Sequence, residues 1–338
     1  MNITFRPFDL RLKHAFTIAR GTRDVSPVVL VELEHDGIIG YGEAAPSARY
    51  GESVDSVAAF LSHVDWSRFD DPFQLESILD AVDAAAPGNT SAKASVDLAL
   101  HDWIGRKLGI PLHKYWGLDS KRTPKTSFTI GIDTIQVIEQ KVREADQYPI
   151  LKIKLGGEND EDIIRTIRKI TKKTLRVDAN EGWKVKEQAV EKIKWLEQEG
   201  VEFVEQPMPA ADLAGTAWTR ERVNLPLVAD ENSLRLHDVP KLQGVFDGIN
   251  IKLMKCTGLR EALRMIHAAR ACDLKVMIGC MIESSVAISA AAQLSPLIDY
   301  ADLDGNVLIS NDPFDGVRSL DGTLRLLDRP GLGVERRS

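Results

Sequence analysis

LKIKLG at residues 151–156, RVDAN at 176–180, FVEQP at 203–207, LVADEN at 227–232 and INIKLMK at 249–255 share one form: a short apolar run closed by a charged residue. The closing residues are Lys152 and Lys154, then Asp178, Glu205, Asp230 and Lys252. From Lys154 onward the steps are 24, 27, 25 and 22 residues. A strand, a helix and two short loops need a step of that order. The spacing therefore predicts consecutive βα units with equivalent residues at the C-terminal strand ends, which in a barrel converge on one mouth. One such residue would read as ordinary surface charge, but five in phase do not. Converging carboxylates are costly unless positive charge sits among them, and a divalent cation supplies it.

Working outward, further runs predict eight strands with helices between, at 125–130, 151–154, 175–178, 202–205, 227–230, 248–252, 275–279 and 298–302. That is an α/β chain with a parallel sheet and crossover connections. No helix pattern follows the last strand, and residues 305–338 are expected to return to the first domain. The N-terminal part differs. Alternating runs at 3–8, 14–19, 27–34 and 38–43 predict a β-meander, with His35-Asp36-Gly37 as a hairpin signal. Helical periodicity follows at 53–64, 72–85 and 90–108. His101 and Asp102 are adjacent on the last of these helices and so do not face each other as a dyad. His113 is expected to pack. Residues 20–24, RGTRD, read as a polar loop in which Arg20 and Arg23 are either surface charge or the cover of an anionic ligand. The expected domains are 1–122, 123–304 and the returning 305–338.

The chain's 338 residues suffice for a barrel and a smaller domain, and the net charge of −7 without a basic run argues against nucleic acid. No apolar stretch reaches membrane-spanning length. Three cysteines at unpatterned spacing, and an N-terminus without an apolar leader pattern, lead to the expectation of a cytoplasmic protein with reduced thiols. Cys280 falls near a strand end and could line the site, but a small buried filler is its expected role. A homo-oligomer is compatible with all of this.

Two aspartates and a glutamate without histidine or cysteine are hard ligands that favour Mg²⁺. Asn180 and Glu231 are candidates for supporting contacts. Mg²⁺ can hold a substrate carboxylate and stabilise an enediolate. Lys152 and Lys154 point to one face of their strand, and Lys252 comes from four strands on, across the mouth. A lysine near another lysine and a cation is expected to have a lowered pKa, making it a usable base. Lysines on both sides of a carbon can remove a proton from one face and return one to the other, which is epimerisation. Lys152 is assigned to charge stabilisation. Lys255, three residues after Lys252, would face away on a continuing strand.

LKIKLG, RVDANEGW, VEQP, ADEN and INIKLMKCTG, with GYGEAAP at 40–46 and ALHDWIGRKLGIPL at 99–112, resemble the muconate-lactonizing subgroup of the enolase superfamily over nearly the whole chain. The resemblance implies a (β/α)7β TIM-like barrel with an N-terminal α+β capping domain. It implies Mg²⁺ on Asp178, Glu205 and Asp230, with Lys154 and Lys252 as the acid/base pair; Lys or His bases with Mg²⁺ are a general property of enolase-superfamily sites. Asp302 and Asp304 at the eighth strand end resemble the ammonium clamp of dipeptide epimerases. An acidic side chain held by Arg20 or Arg23 would make the substrate L-Ala-D/L-Glu, implying metabolism of peptidoglycan peptides. The alternatives are hydrophobic or cationic dipeptides, o-succinylbenzoate synthase or a muconate-type cycloisomerase, whose substrates leave the aspartate pair unexplained. A sugar-acid dehydratase would want a late histidine, and none follows His267. A non-catalytic barrel would leave the lysines without a task. One departure is visible: Thr257-Gly258 stands where many relatives have Gly-Gly.

Overall fold

The structure is a computed structural model that describes residues 1–18 and 21–337. An antiparallel sheet comes first, with β1 (Asn2–Ile18), β2 (Gly21–His35) and β3 (Ile38–Ala44). Asp36 and Gly37 take φ of 52° and 71°, the left-handed pair that a tight hairpin requires, so the turn forms where the sequence signals it. The meander has three strands rather than four. Residues 3–8 and 14–18 belong to one strand, whose register with β2 shifts between Arg11 and Phe16; Ala19, in the second expected run, lies outside the described residues. Within the expected polar loop, Gly21–Asp24 continues β2, because Thr22 and Arg23 pair with Thr17 and Phe16 in a long hairpin. Helix Val54–His63 starts at a capping box of Ser53 and Ser56, and Thr90–Leu108 packs across β3.

The second part is an eight-stranded parallel sheet in sequential order. Its strands are β4 (Phe128–Ile130), β5 (Ile150–Lys154), β6 (Thr174–Asp178), β7 (Val201–Glu205), β8 (Leu227–Ala229), β9 (Gly248–Ile251), β10 (Lys275–Gly279) and β11 (Tyr300–Asp302). A parallel bridge from Thr126 to Ala301 joins the first strand to the last and closes the barrel. Helices cover its outside, which is why the strands read as continuous apolar runs rather than alternating ones. Inside, beneath the mouth, Phe203, Val228 and Met277 pack with Tyr300, and the Arg176 guanidinium lies over the Phe203 and Tyr300 rings at 5.3 and 5.1 Å. The predicted strand at 248–252 ends earlier, and Leu253–Cys256 is a helical turn. No helix among the described residues is long and apolar enough to cross a membrane.

The two parts are joined by buried carboxylates on helix Thr90–Leu108. Asp97 accepts hydrogen bonds from the backbone N–H groups of Leu259 (2.6 Å) and Arg260 (3.1 Å), capping a barrel helix from the other domain. Gly258 is required there: its φ is +112°, and a Cβ would lie 2.4 Å from Asp97 Oδ1. Thr257, beside it, adopts φ of 69°, a left-handed conformation that a β-branched residue takes only at a cost. Asp102 accepts from Tyr41 N (2.9 Å), Leu332 N (2.8 Å) and Arg106 Nε (2.7 Å), tying β3 and the C-terminal segment together. His101 pairs with Asp97 at 3.2 Å rather than with Asp102, and His113 Nδ1 meets Gln293 Oε1 at 2.8 Å. Both histidines are packing elements. Asp97→Ala removes a helix cap and the carboxylate beside the buried His101, which keeps only the residue 97 carbonyl at 2.9 Å, so we expect a loss of about 2 kcal/mol of unfolding free energy in urea titration. An unchanged midpoint would contradict this account of the junction.

Candidate active site

β5 to β9 deliver one charged side chain after another to the barrel mouth. Asp178, Glu205 and Asp230 are almost fully buried, and one oxygen from each lies within 4.8 Å of the others. Each is oriented by a neighbour. Asn180 N donates to Asp178 Oδ1 (2.9 Å), and Asn250 Nδ2 to Glu205 Oε1 (2.7 Å). Asp230 N donates to Gln206 Oε1 (3.0 Å). The all-oxygen set and its close convergence fit a hard divalent cation. Glu205 Oε2 supports that fit: it is buried, accepts no aligned hydrogen bond, and has only the Lys152 ammonium at 2.7 Å.

Lysines surround this cluster. Lys152 is within 3.3 Å of Asp178 and 2.7 Å of both Glu205 and Asp302. Lys154 reaches Asp178 at 2.6 Å from one side of the mouth, and Lys252 reaches Asp230 at 2.8 Å from the other. Burial pulls the Lys152 ammonium down, but Asp302, Glu205 and Asp178 outweigh it and hold the group well above the ordinary lysine range. Lys252 is likewise raised, against burial, by Asp230 and Glu205. At Lys152 and Lys252 the facing carboxylates outweigh the neighbouring ammonium; the lowering expected from the sequence is for a lysine that also faces a bound cation. Burial raises the Asp178 carboxyl, yet Lys154 and Lys152 bring it to about 2. Burial and the Asp178 charge leave Glu205 raised.

Lys255 departs from expectation. The chain turns helical after Lys252, so Lys255 does not face away. Its ammonium is buried against Asp230, 2.6 Å from the Asp230 carbonyl. Lys252 lines the open pocket and Lys255 does not, which is a better reason to prefer Lys252 than strand alternation.

The pocket over the cluster has a volume of about 330 Å³ and brings together Lys152, Lys154, Lys252, Asn180, Asp302, Asp304 and Arg23. Asp302 accepts from Lys152 Nζ and Ser127 Oγ, both at 2.7 Å, and Asp304 accepts from Thr129 N at 2.6 Å. Burial and the Asp302 charge push Asp304 up to about 7. Arg23 lines the pocket from the β1–β2 hairpin; Arg20 lies outside the described residues. Cys280 also lines it, its thiol 3.3 Å from the Asp302 carbonyl. Several supporting residues escaped the sequence reading. Asn250 had a signal, since it stands two residues before Lys252 on the same strand face. Gln206, with φ of 36°, followed Glu205 in the quoted motif. Arg49 had none: its guanidinium forks onto Glu181 (3.2 and 3.0 Å) and ties the loop after β3 to the barrel.

A closed parallel barrel with three acidic strand ends and opposed lysines, beneath an antiparallel cap, is the architecture of an enolase-type enzyme. Residues 136–337 match the model of the enolase C-terminal domain-like family, and residues 2–117 match that of the mandelate racemase / muconate lactonizing enzyme N-terminal domain. The chain belongs to this mandelate racemase / muconate lactonizing enzyme family of the enolase superfamily. It is 52% identical over 335 residues to the L-Ala-D/L-Glu epimerase of Bacteroides thetaiotaomicron, covering 99% of this chain and 88% of that protein. It is 42% identical, over the full length of both, to the L-Ala-D/L-amino acid epimerase of Pedosphaera parvula. Among solved structures, the substrate-liganded L-Ala-D/L-Glu epimerase of Bacillus subtilis superposes with a TM-score of 0.93 at 30% identity, covering 99% of this chain and 98% of that one. The Enterococcus faecalis dipeptide epimerase with Mg and L-Leu-L-Tyr does so with 0.91 at 33% identity, covering 99% of each.

Two more carboxylates sit where cap meets barrel. Glu43, at the end of β3, accepts from Ser284 N (2.9 Å) and from the Ser284 hydroxyl; Glu283 accepts from Met281 N (2.9 Å). Burial drives Glu43 up to about 7 despite Ser284, with Asp312 adding to the rise. Burial and the Glu43 charge drive Glu283 up to about 8, with Lys252 pulling weakly the other way. Raised carboxyls bind protons in the folded state that the unfolded chain has released. Their contribution to stability is therefore full below about pH 4.5 and lost as pH rises through about 7 and 8. Glu283→Gln should raise unfolding free energy near pH 8.5 by a few kcal/mol, on the order of 1.4 kcal/mol per pKa unit, with the gain fading towards pH 4.5. Parallel wild-type and variant curves across that range would refute the assignment.

Proposed function

We propose that the chain is a Mg²⁺-dependent dipeptide epimerase that inverts the α-carbon of the C-terminal residue by 1,1-proton transfer, with L-Ala-D/L-Glu as substrate. The observation that carries this is the presence, in one pocket, of opposed lysines over three carboxylates and a neighbouring aspartate pair. Asp178, Glu205 and Asp230 would hold the metal, which when bound supplies positive charge to the substrate carboxylate. Lys154 and Lys252 flank the reacting carbon. One, as the free amine, takes the α-proton from its face; the other, as the ammonium, gives a proton to the opposite face, so charge and protons balance. Which does which depends on the starting diastereomer. Lys152 offsets the carboxylate charge, as its three contacts at the cluster support.

Asp302 and Asp304 would receive the α-ammonium of the N-terminal residue, a role that o-succinylbenzoate or muconate-type substrates would leave unfilled. Arg23 would pair with the glutamate side chain. A hydrophobic or cationic C-terminal residue would give that arginine no counter-charge, which favours the acidic substrate. A cytoplasmic role in turnover of peptidoglycan peptides accords with such a substrate.

Deuterium should enter the C-terminal α-position of L-Ala-L-Glu in D₂O with Mg²⁺, and a second diastereomer should appear; chelation of the metal should stop both. Lys154→Ala and Lys252→Ala should each cut epimerisation by about 10²–10⁴-fold, as expected for loss of a general acid/base. Epimerisation surviving loss of either lysine would sink the two-base scheme. Arg23→Ala should lower kcat/KM for L-Ala-L-Glu by about 10–100-fold, the scale of a lost charged hydrogen bond, while sparing L-Ala-L-Phe. An equal loss on both substrates would remove Arg23 from the specificity argument.

A further inference from the structure

The active pocket has a neighbour. A second cavity of about 190 Å³ lies between β1, the start of the barrel and the segment after β11. Phe16, Thr129 and Leu308 border both spaces, so these three residues stand between them. The far side has apolar walls at Leu12, Phe128 and Tyr148 and a polar edge at His14, Lys141 and Glu144.

The partition is held by backbone hydrogen bonds. Residues 12–15 leave the hairpin register, and the segment around them is held from two directions. Lys13 N donates to Leu308 O (2.9 Å) and Ser310 N to Arg11 O (2.8 Å) on one side; Ile132 N donates to Thr17 O (2.9 Å) on the other. Gly131 permits this approach, since a Cβ there would lie 2.8 Å from Thr17 O and 3.6 Å from the Phe16 ring.

The partition also stands beside the aspartate pair. Thr129, which borders both cavities, donates its backbone N–H to Asp304 at 2.6 Å. In a dipeptide the α-ammonium and the first side chain leave the same carbon. An ammonium held at Asp302 and Asp304 therefore places the first side chain next to this wall.

We propose that Phe16 and Leu308 limit the N-terminal residue of the substrate to a small side chain, and that the cavity behind them takes a larger one when the wall is opened. This rests on the dipeptide epimerase reading. The wall acts by exclusion and touches no reacting atom.

The test compares kcat/KM for L-Ala-L-Glu and L-Leu-L-Glu in wild type, Phe16→Ala and Leu308→Ala. Wild type should prefer L-Ala-L-Glu. Either truncation should shift the ratio towards L-Leu-L-Glu by about 10–100-fold, the discrimination that a few methylene groups provide in an apolar pocket. The shift should appear without a change in the pH profile. Wild type accepting both substrates equally, or an unchanged ratio in the folded variants, would overturn the proposal. If Phe16→Ala fails to fold by circular dichroism, Leu308→Ala and Phe16→Leu decide it. Wild type epimerising neither dipeptide would instead count against the parent reading, so the two failures are distinct.

Discussion

Three carboxylates brought within one ion's reach, at the end of a sheet buried on both faces, are the constraint that the rest of this structure serves. Asp178, Glu205 and Asp230 repel one another, and their burial forbids solvation by bulk water. Positive charge has to be supplied locally. Lys152, Lys154, Lys252 and Lys255 supply it, each touching at least one of the three. The same arrangement places two ammonium groups on opposite sides of the mouth, the placement that the proposed proton transfer on two faces uses. Lys255 is withdrawn from the pocket, and Lys152 is engaged by three carboxylates.

The cap turns an open barrel mouth into a pocket. It is fixed at several independent points: Asp97 on a barrel helix, Glu43 on Ser284, and the Arg49–Glu181 fork beside the cluster. With these fixed, the β1–β2 hairpin delivers Arg23 above the site and Phe16 at its side. On the proposed reading, specificity resides largely in elements that hold no metal ligand and no base, in keeping with a scaffold on which reaction and substrate are set by different parts.

Much of this was legible in the sequence because the barrel repeats. Five consecutive βα units carry an apolar run and a closing charge, so Lys154, Asp178, Glu205, Asp230 and Lys252 announce one another by phase. The Asp36-Gly37 turn was legible because few residues tolerate the required backbone. What was hidden depends on contacts far apart in the chain. Alternation cannot show that residues 3–8 and 14–18 form one strand, since the register shift between them lies where the chain pairs with residues 308–310. The helical turn at Leu253–Cys256 breaks strand periodicity within an apolar run, and with it the inference about Lys255. The raised lysine pKa values depend on which charges face them. Arg49 has no local pattern at all, because its partner lies 132 residues away.

The central claim is geometric: one bound dipeptide should satisfy the metal cluster, both lysines and the aspartate pair together. A crystal structure of the protein with Mg²⁺ and L-Ala-L-Glu tests it most directly. The account predicts the metal on Asp178, Glu205 and Asp230, the ammonium between Asp302 and Asp304, and the glutamyl α-carbon between the nitrogens of Lys154 and Lys252. A dipeptide bound with its ammonium away from the aspartates, or with both lysines on one face of the α-carbon, would contradict it.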